Sequence, residues 1–78
     1  MGTSFKTSDL YTAAFLSCRI KRPPGLEMRD GRVIFTFDSD PQTFEALNEF
    51  NSDYPMGVFT YSNAVKQIRN IMMKRKAE

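Results

Sequence analysis

The chain is predicted to fold as a small α+β domain, order α-β-β-α-α, with a β-hairpin packed on three helices and a short N-terminal strand as an option. Three features carry that expectation. Asp30-Gly31 stands between two alternating apolar segments, as a two-residue type I′ hairpin turn requires. Ser39-Asp40-Pro41 has the form of a helix start, an oxygen cap followed by a proline in the first turn. From Tyr61 to Met72 the apolar residues recur at helical spacing.

Thr7-Ser8-Asp9 supplies side-chain acceptors for the free N–H groups of a first helical turn, so a helix is expected over Leu10 to Cys18. Its apolar residues surround it. Leu10, Ala13, Ala14 and Ser17 define one side, Tyr11, Phe15 and Cys18 another, and Leu16 lies between. Such a helix is buried on more than one side, either at the centre of the domain or against a second subunit. Arg19-Ile20-Lys21-Arg22-Pro23-Pro24-Gly25 ends it, because a proline pair disfavours helix and favours an extended connection.

With Asp30-Gly31 as the loop, Arg29 faces Arg32, Met28 faces Val33, Glu27 faces Ile34 and Leu26 faces Phe35. Leu26, Met28, Val33, Phe35 and Phe37 then share one face, so turn and pattern specify the same register. Ile34 and Thr36 fall on a wetter face with Glu27, Arg29 and Arg32. The two arginines repel, and an anion or a nearby acid is needed to relieve them. Ser4-Phe5-Lys6 is the segment able to cover one open edge of the hairpin.

The second helix is capped by Asp40 or Ser39, with Phe44, Leu47 and Phe50 pointing inward and Glu45 and Glu49 outward. A loop over 51–57 leads to the third helix, expected from Tyr61 to Lys74 or beyond. Thr60 serves as its cap and Phe59 staples onto Ala64. Tyr61, Ala64, Val65, Ile68, Ile71 and Met72 share its inner face. The expected core is Leu10, Ala14, Leu26, Met28, Val33, Phe35, Phe37, Phe44, Leu47, Ala64, Ile68, Ile71 and Met72.

Seventy-eight residues make one domain, 1–78, with an ordered core over about 5–74 and frayed termini. A hydrophobic content of 41% argues against disorder. There is no His and only one Cys, so neither a disulfide nor a metal site is expected. No cofactor is implied. A single thiol without a secretory h-region points to a reducing cytoplasm. No apolar run reaches the ~20 residues that span a bilayer, so no membrane is expected.

Enzymatic function is not expected. Cys18 has no imidazole to activate it and reads as a core residue. Asp38 and Asp40, the close carboxylate pair, read as helix-capping groups.

Charge is unevenly placed. Residues 1–37 hold six bases and three acids, 38–53 five acids and no base, and 54–78 five bases and one acid. The simplest expectation is that acidic and basic segments lie against each other. If they do not, the basic residues become candidate nucleic-acid or anion contacts: Arg29, Arg32, Lys66, Arg69, Asn70 and Lys74. A protein interface, with a partner or a second copy, is the leading expectation. Its candidates are Tyr11, Phe15, Leu16 and Met73, with Tyr54 and Met56 in the loop.

Phe5-Lys6-Thr7-Ser8-Asp9-Leu10-Tyr11-Thr12-Ala13-Ala14-Phe15-Leu16, the strand Gly31-Arg32-Val33-Ile34-Phe35-Thr36-Phe37 and the helix Tyr61-Ser62-Asn63-Ala64-Val65-Lys66-Gln67-Ile68 occur in that order. Over about Phe5 to Met72 the chain resembles a family of small bacterial and phage-associated domains of unknown function. The resemblance implies a compact helix–hairpin–helix–helix domain and brings no activity. It associates a glycine with the stretch after the first helix, where Lys21-Arg22-Pro23-Pro24 stands here.

Overall fold

The computed structural model describes residues 4–52 and 55–77. The elements run β1 (Ser4–Thr7), α1 (Leu10–Ile20), β2 (Gly25–Arg29), β3 (Arg32–Asp38), α2 (Pro41–Phe50) and α3 (Val58–Ala77). The three strands form one antiparallel sheet in the order β1-β3-β2. The optional N-terminal strand is present and pairs Phe5 with Phe37 and Thr7 with Phe35. It covers one edge of β3, which becomes the central strand.

The hairpin has the expected register, with Arg29 opposite Arg32, Met28 opposite Val33, Glu27 opposite Ile34 and Leu26 opposite Phe35. Asp30 and Gly31 take φ of 53° and 78°, the left-handed pair a type I′ turn demands. Val33, Phe35 and Phe37 are buried on the inner face. On the outer face Glu27 accepts from Arg29 at 3.1 Å and pairs with Lys6 of β1 at 3.1 Å. An acid therefore relieves the arginine opposition. Lys6, the first cause, together with Arg29 holds the Glu27 carboxyl below its ordinary range.

Helix α1 is capped by Asp9, whose Oδ2 accepts from Thr12 N at 3.2 Å. The helix lies at the centre of the fold. Ala13, Ala14, Phe15, Leu16 and Ile20 are all buried, and α2 and α3 both pack on it. Most of its apolar surface is thus consumed within one chain, with Tyr11 left half exposed. Lys21 closes the helix in the left-handed conformation at φ 59°, and Arg22 N donates to Ser17 O at 3.2 Å. This is the position a glycine fills without strain.

Helix α2 starts as expected. Asp40 Oδ1 accepts from Thr43 N at 2.9 Å, and Pro41 occupies the first turn. Its buried face is rotated from the expected one. Thr43 and Ala46 are buried, whereas Phe44 is half exposed. The small side chains let α2 approach α1 closely and turn Phe44 outward. Met28 also departs from the expected core, at 44% exposure. It lies on the outer strand β2, past the reach of the helices that cover β3.

Helix α3 begins earlier than expected. The Gly57 carbonyl accepts from Tyr61 N at 3.0 Å, which makes Gly57 the residue at the cap position. Thr60 lies inside the helix, and Phe59 is 85% exposed rather than stapled inward. Ala64 and Ile68 enter the core beside Ala13, Ala14, Leu16, Ile20, Val33, Phe35, Phe37 and Ala46.

Candidate functional site

Helix α3 lies along α1 and leaves a groove on each flank. At 100° per residue, Val58, Tyr61, Ser62 and Val65 face one flank, while Thr60, Asn63, Gln67 and Ile71 face the other.

The first groove encloses about 480 Å³ and runs between Tyr11 and Phe15 of α1, Phe50 at the end of α2, Met56, and the first two turns of α3. Its floor is aromatic. The Phe15 and Phe50 ring centroids are 5.1 Å apart, and Phe15 meets Tyr61 edge-on at 6.5 Å. The Tyr61 hydroxyl donates to the Tyr11 carbonyl at 3.3 Å. Burial, with Asp9 and Tyr11 adding to it, pushes the Tyr61 phenol above its ordinary value. Among the described residues, none that lines the groove is charged. The rim is exposed, with Tyr11 at 50% and Val58 at 80%.

The second groove, about 490 Å³, has mixed polar and apolar walls and carries cations. Ser17, Lys21, Arg22, Asn63 and Gln67 line it together with the partly buried Cys18.

The acids and bases sort themselves between elements. Arg19 of α1 makes a two-pronged pair with Glu49, at 2.5 and 3.0 Å, and lies 3.9 Å from Glu45. Arg22 lies 3.4 Å from Asp38 and 3.8 Å from Asp40. The acidic stretch does lie against bases, as the charge pattern led us to expect, but those bases come from the end of α1. Glu49 accordingly turns toward α1 rather than outward. Asp53 falls outside the described residues. Asp40 is held ionised, first by the Thr43 N–H and further by Arg22, so its carboxyl sits below the ordinary range.

Lys66, Arg69, Asn70 and Lys74 are exposed on the outward half of α3. Among the described residues, Lys66, Arg69 and Lys74 have no ion pair. Arg32 of the hairpin lines a shallow hollow with Met72 and Ser8. The tip of the sheet and the C-terminal half of α3 therefore meet at Arg32 and Met72. Arg29 is engaged by Glu27.

The expected protein interface is split. Tyr11 and Met73 are exposed, and Tyr11 rims the groove. Leu16 is fully buried and unavailable, and Phe15 is buried as the groove floor, because α1 is central. Tyr54 lies outside the described residues. Val58, Phe59, Tyr61 and Val65 were missed as surface-forming residues. The signal for them is Gly57, which is tolerated at a cap and moves the helix start back by one turn.

Among the described residues no helix is long and apolar enough to cross a membrane, and no cluster of three acids or thiolates could hold a metal ion. No curated protein and no solved structure matches the chain. Residues 2–74 match the family described as Domain of unknown function (DUF5659), and the chain belongs to that family.

Proposed function

We propose that this chain is a non-catalytic binding module that docks a protein through the apolar groove between α1, the end of α2 and the start of α3. The observation that carries this reading is a cleft with an aromatic floor, a rim of exposed Tyr11 and Val58, and no charge among the described residues that line it. Clefts of about 300–1,000 Å³ lined by apolar and aromatic side chains are where proteins take ligand groups, and aromatic anchors dominate protein interfaces. Three carboxylates fit this reading: Asp9, Glu27 and Asp40 are held more acidic than usual by capping bonds or cations, the opposite of a general acid's requirement. The lone Cys18 supports a cytoplasmic setting, and the resemblance of the Phe5–Leu16 segment supports a bacterial or phage origin.

The test is retention of proteins from the host by the tagged chain, with and without nuclease, compared with Val58→Asp. Val58 is 80% exposed in the first turn of α3, where an acid suits the helix dipole, so the variant keeps its fold. A nuclease-resistant protein retained by the wild type and lost with Val58→Asp is expected. Equal retention by both refutes the groove as the docking site.

A second reading has its own support. Arg19 and Arg22 engage the described acids of 38–49 and leave the outward bases of α3 available to phosphates. If about four phosphates are contacted, log K falls with log salt at a slope near −3 to −4. No binding to duplex or single strand at about 50 mM salt eliminates it.

A further inference from the structure

We infer that the groove's occupant is a second copy of this chain, each copy inserting its Phe59 into the groove of the other about a two-fold axis. The inference rests on the protein-docking reading above and names the partner.

A projection and a cavity lie side by side on one surface. Phe59 is 85% exposed and does not line its own groove, while its neighbour Val58 does. On α3 it lies on the outward stripe with Lys66, Asn70 and Met73, spaced 7, 4 and 3 residues apart. A two-fold axis that sets each knob in the other copy's hole closes the pair as an isologous dimer, with no second kind of patch.

Area points the same way. Aromatic side chains present ~150–250 Å² each, so Phe59, Val58 and Tyr11 at their observed exposures offer roughly 400 Å² of largely apolar surface. A stable interface needs about 800 Å² per partner. These three residues supply about half of that before Phe50, Met56 and Val65 are counted.

Charge permits the pairing. Among the described residues the groove lining carries no ionised group. Lys66 lies seven residues beyond Phe59, about 10 Å along the helix. A two-fold axis near Phe59 and across α3 sends the two basic ends in opposite directions. The two Lys66 side chains then stand about 20 Å apart, roughly twice the screening length at physiological salt.

Sedimentation equilibrium of the full chain, from about 10 µM to 1 mM, tests this. The wild-type mass should rise from 9.0 kDa toward twice that value. Phe59→Asp should weaken association by about tenfold or more while its circular dichroism stays native. Ring-proton shifts of Tyr11 and Phe15 should move with concentration in the wild type and stay fixed in the variant. A wild type that stays at 9.0 kDa throughout, or a Phe59→Asp chain that associates equally well, overturns the inference. A monomeric wild type that still loses a captured protein on Val58→Asp overturns only the second-copy assignment and leaves the docking reading in place. Association and capture that both ignore the groove variants remove both.

Discussion

Phe35→Ala is the sharpest probe of the fold that builds the groove. Phe35 is fully buried at the middle of the central strand, opposite Leu26 on one side and Thr7 on the other. It belongs to a single cluster with Leu16, Ala46 and Ile68 from three helices. Truncating such a ring removes its transfer energy and leaves a cavity, a cost of about 3–5 kcal/mol. A domain of this length holds by only about 4–12 kcal/mol. Phe44→Ala is the internal control. Its ring is half exposed, and losing the buried part costs about 1–2 kcal/mol. In guanidinium chloride, with a slope near 2 kcal/mol/M for a small domain, Phe35→Ala should lower the midpoint by about 1.5–2.5 M and Phe44→Ala by less than about 1 M. If Phe35→Ala does not fold at all, Phe35→Leu carries the comparison at a smaller scale. Equal midpoint shifts for the two alanine variants would falsify the inward placement of β3 and the rotated face of α2.

Two further substitutions probe the ends of α1. Lys21→Gly should stabilise the chain by about 0.5–1 kcal/mol, because it relieves a left-handed lysine at φ 59°; a loss measured in thermal or chemical unfolding contradicts the helix ending described here. Asp9→Ala should cost about 1 kcal/mol near neutral pH through loss of the cap. The folded Asp9 carboxyl is depressed, first by its bond from the Thr12 hydroxyl. Its ionised form therefore stabilises the fold above the unfolded value of about 4, and that contribution disappears as pH falls through the lower folded value. The gap between wild type and Asp9→Ala should accordingly narrow below about pH 4. A gap that stays constant from pH 6 to about pH 2.5 shows that the carboxylate charge plays no part.

The hairpin was legible because two independent signals coincide. The Asp30-Gly31 turn demands positive φ at both positions, and the register it sets places Val33, Phe35 and Phe37 on one side without adjustment. The caps of α1 and α2 were legible for the same local reason, an aspartate three residues before the N–H it receives. The start of α3 was not. Thr60 is a good cap in isolation, and Gly57 is a weaker one, so propensity favours the later start. The earlier start turns Phe59 outward, away from the Ala64 it was expected to staple, and with that one turn the rim of the groove comes into being. Phe44 failed differently. Helical spacing offers both Phe44-Leu47 and Thr43-Ala46-Phe50 as inner faces, and the closeness of α1 decides for the smaller residues.

The sequence by itself determined what is short-range: the turn, the strand register, two helix caps, and a chain poor in groups for covalent or metal chemistry. These depend on backbone angles and on neighbours within a few residues. The tertiary structure decided which charges meet and which apolar groups remain outside. Arg19 and Arg22 reach the acids of α2 and its approach only because α1 lies at the centre with its last turn against them. The same central placement hides Leu16 and leaves Tyr11, Val58 and Phe59 at the surface. Side chains tens of residues apart acquire partners only once the helices are packed, and no local pattern encodes that choice.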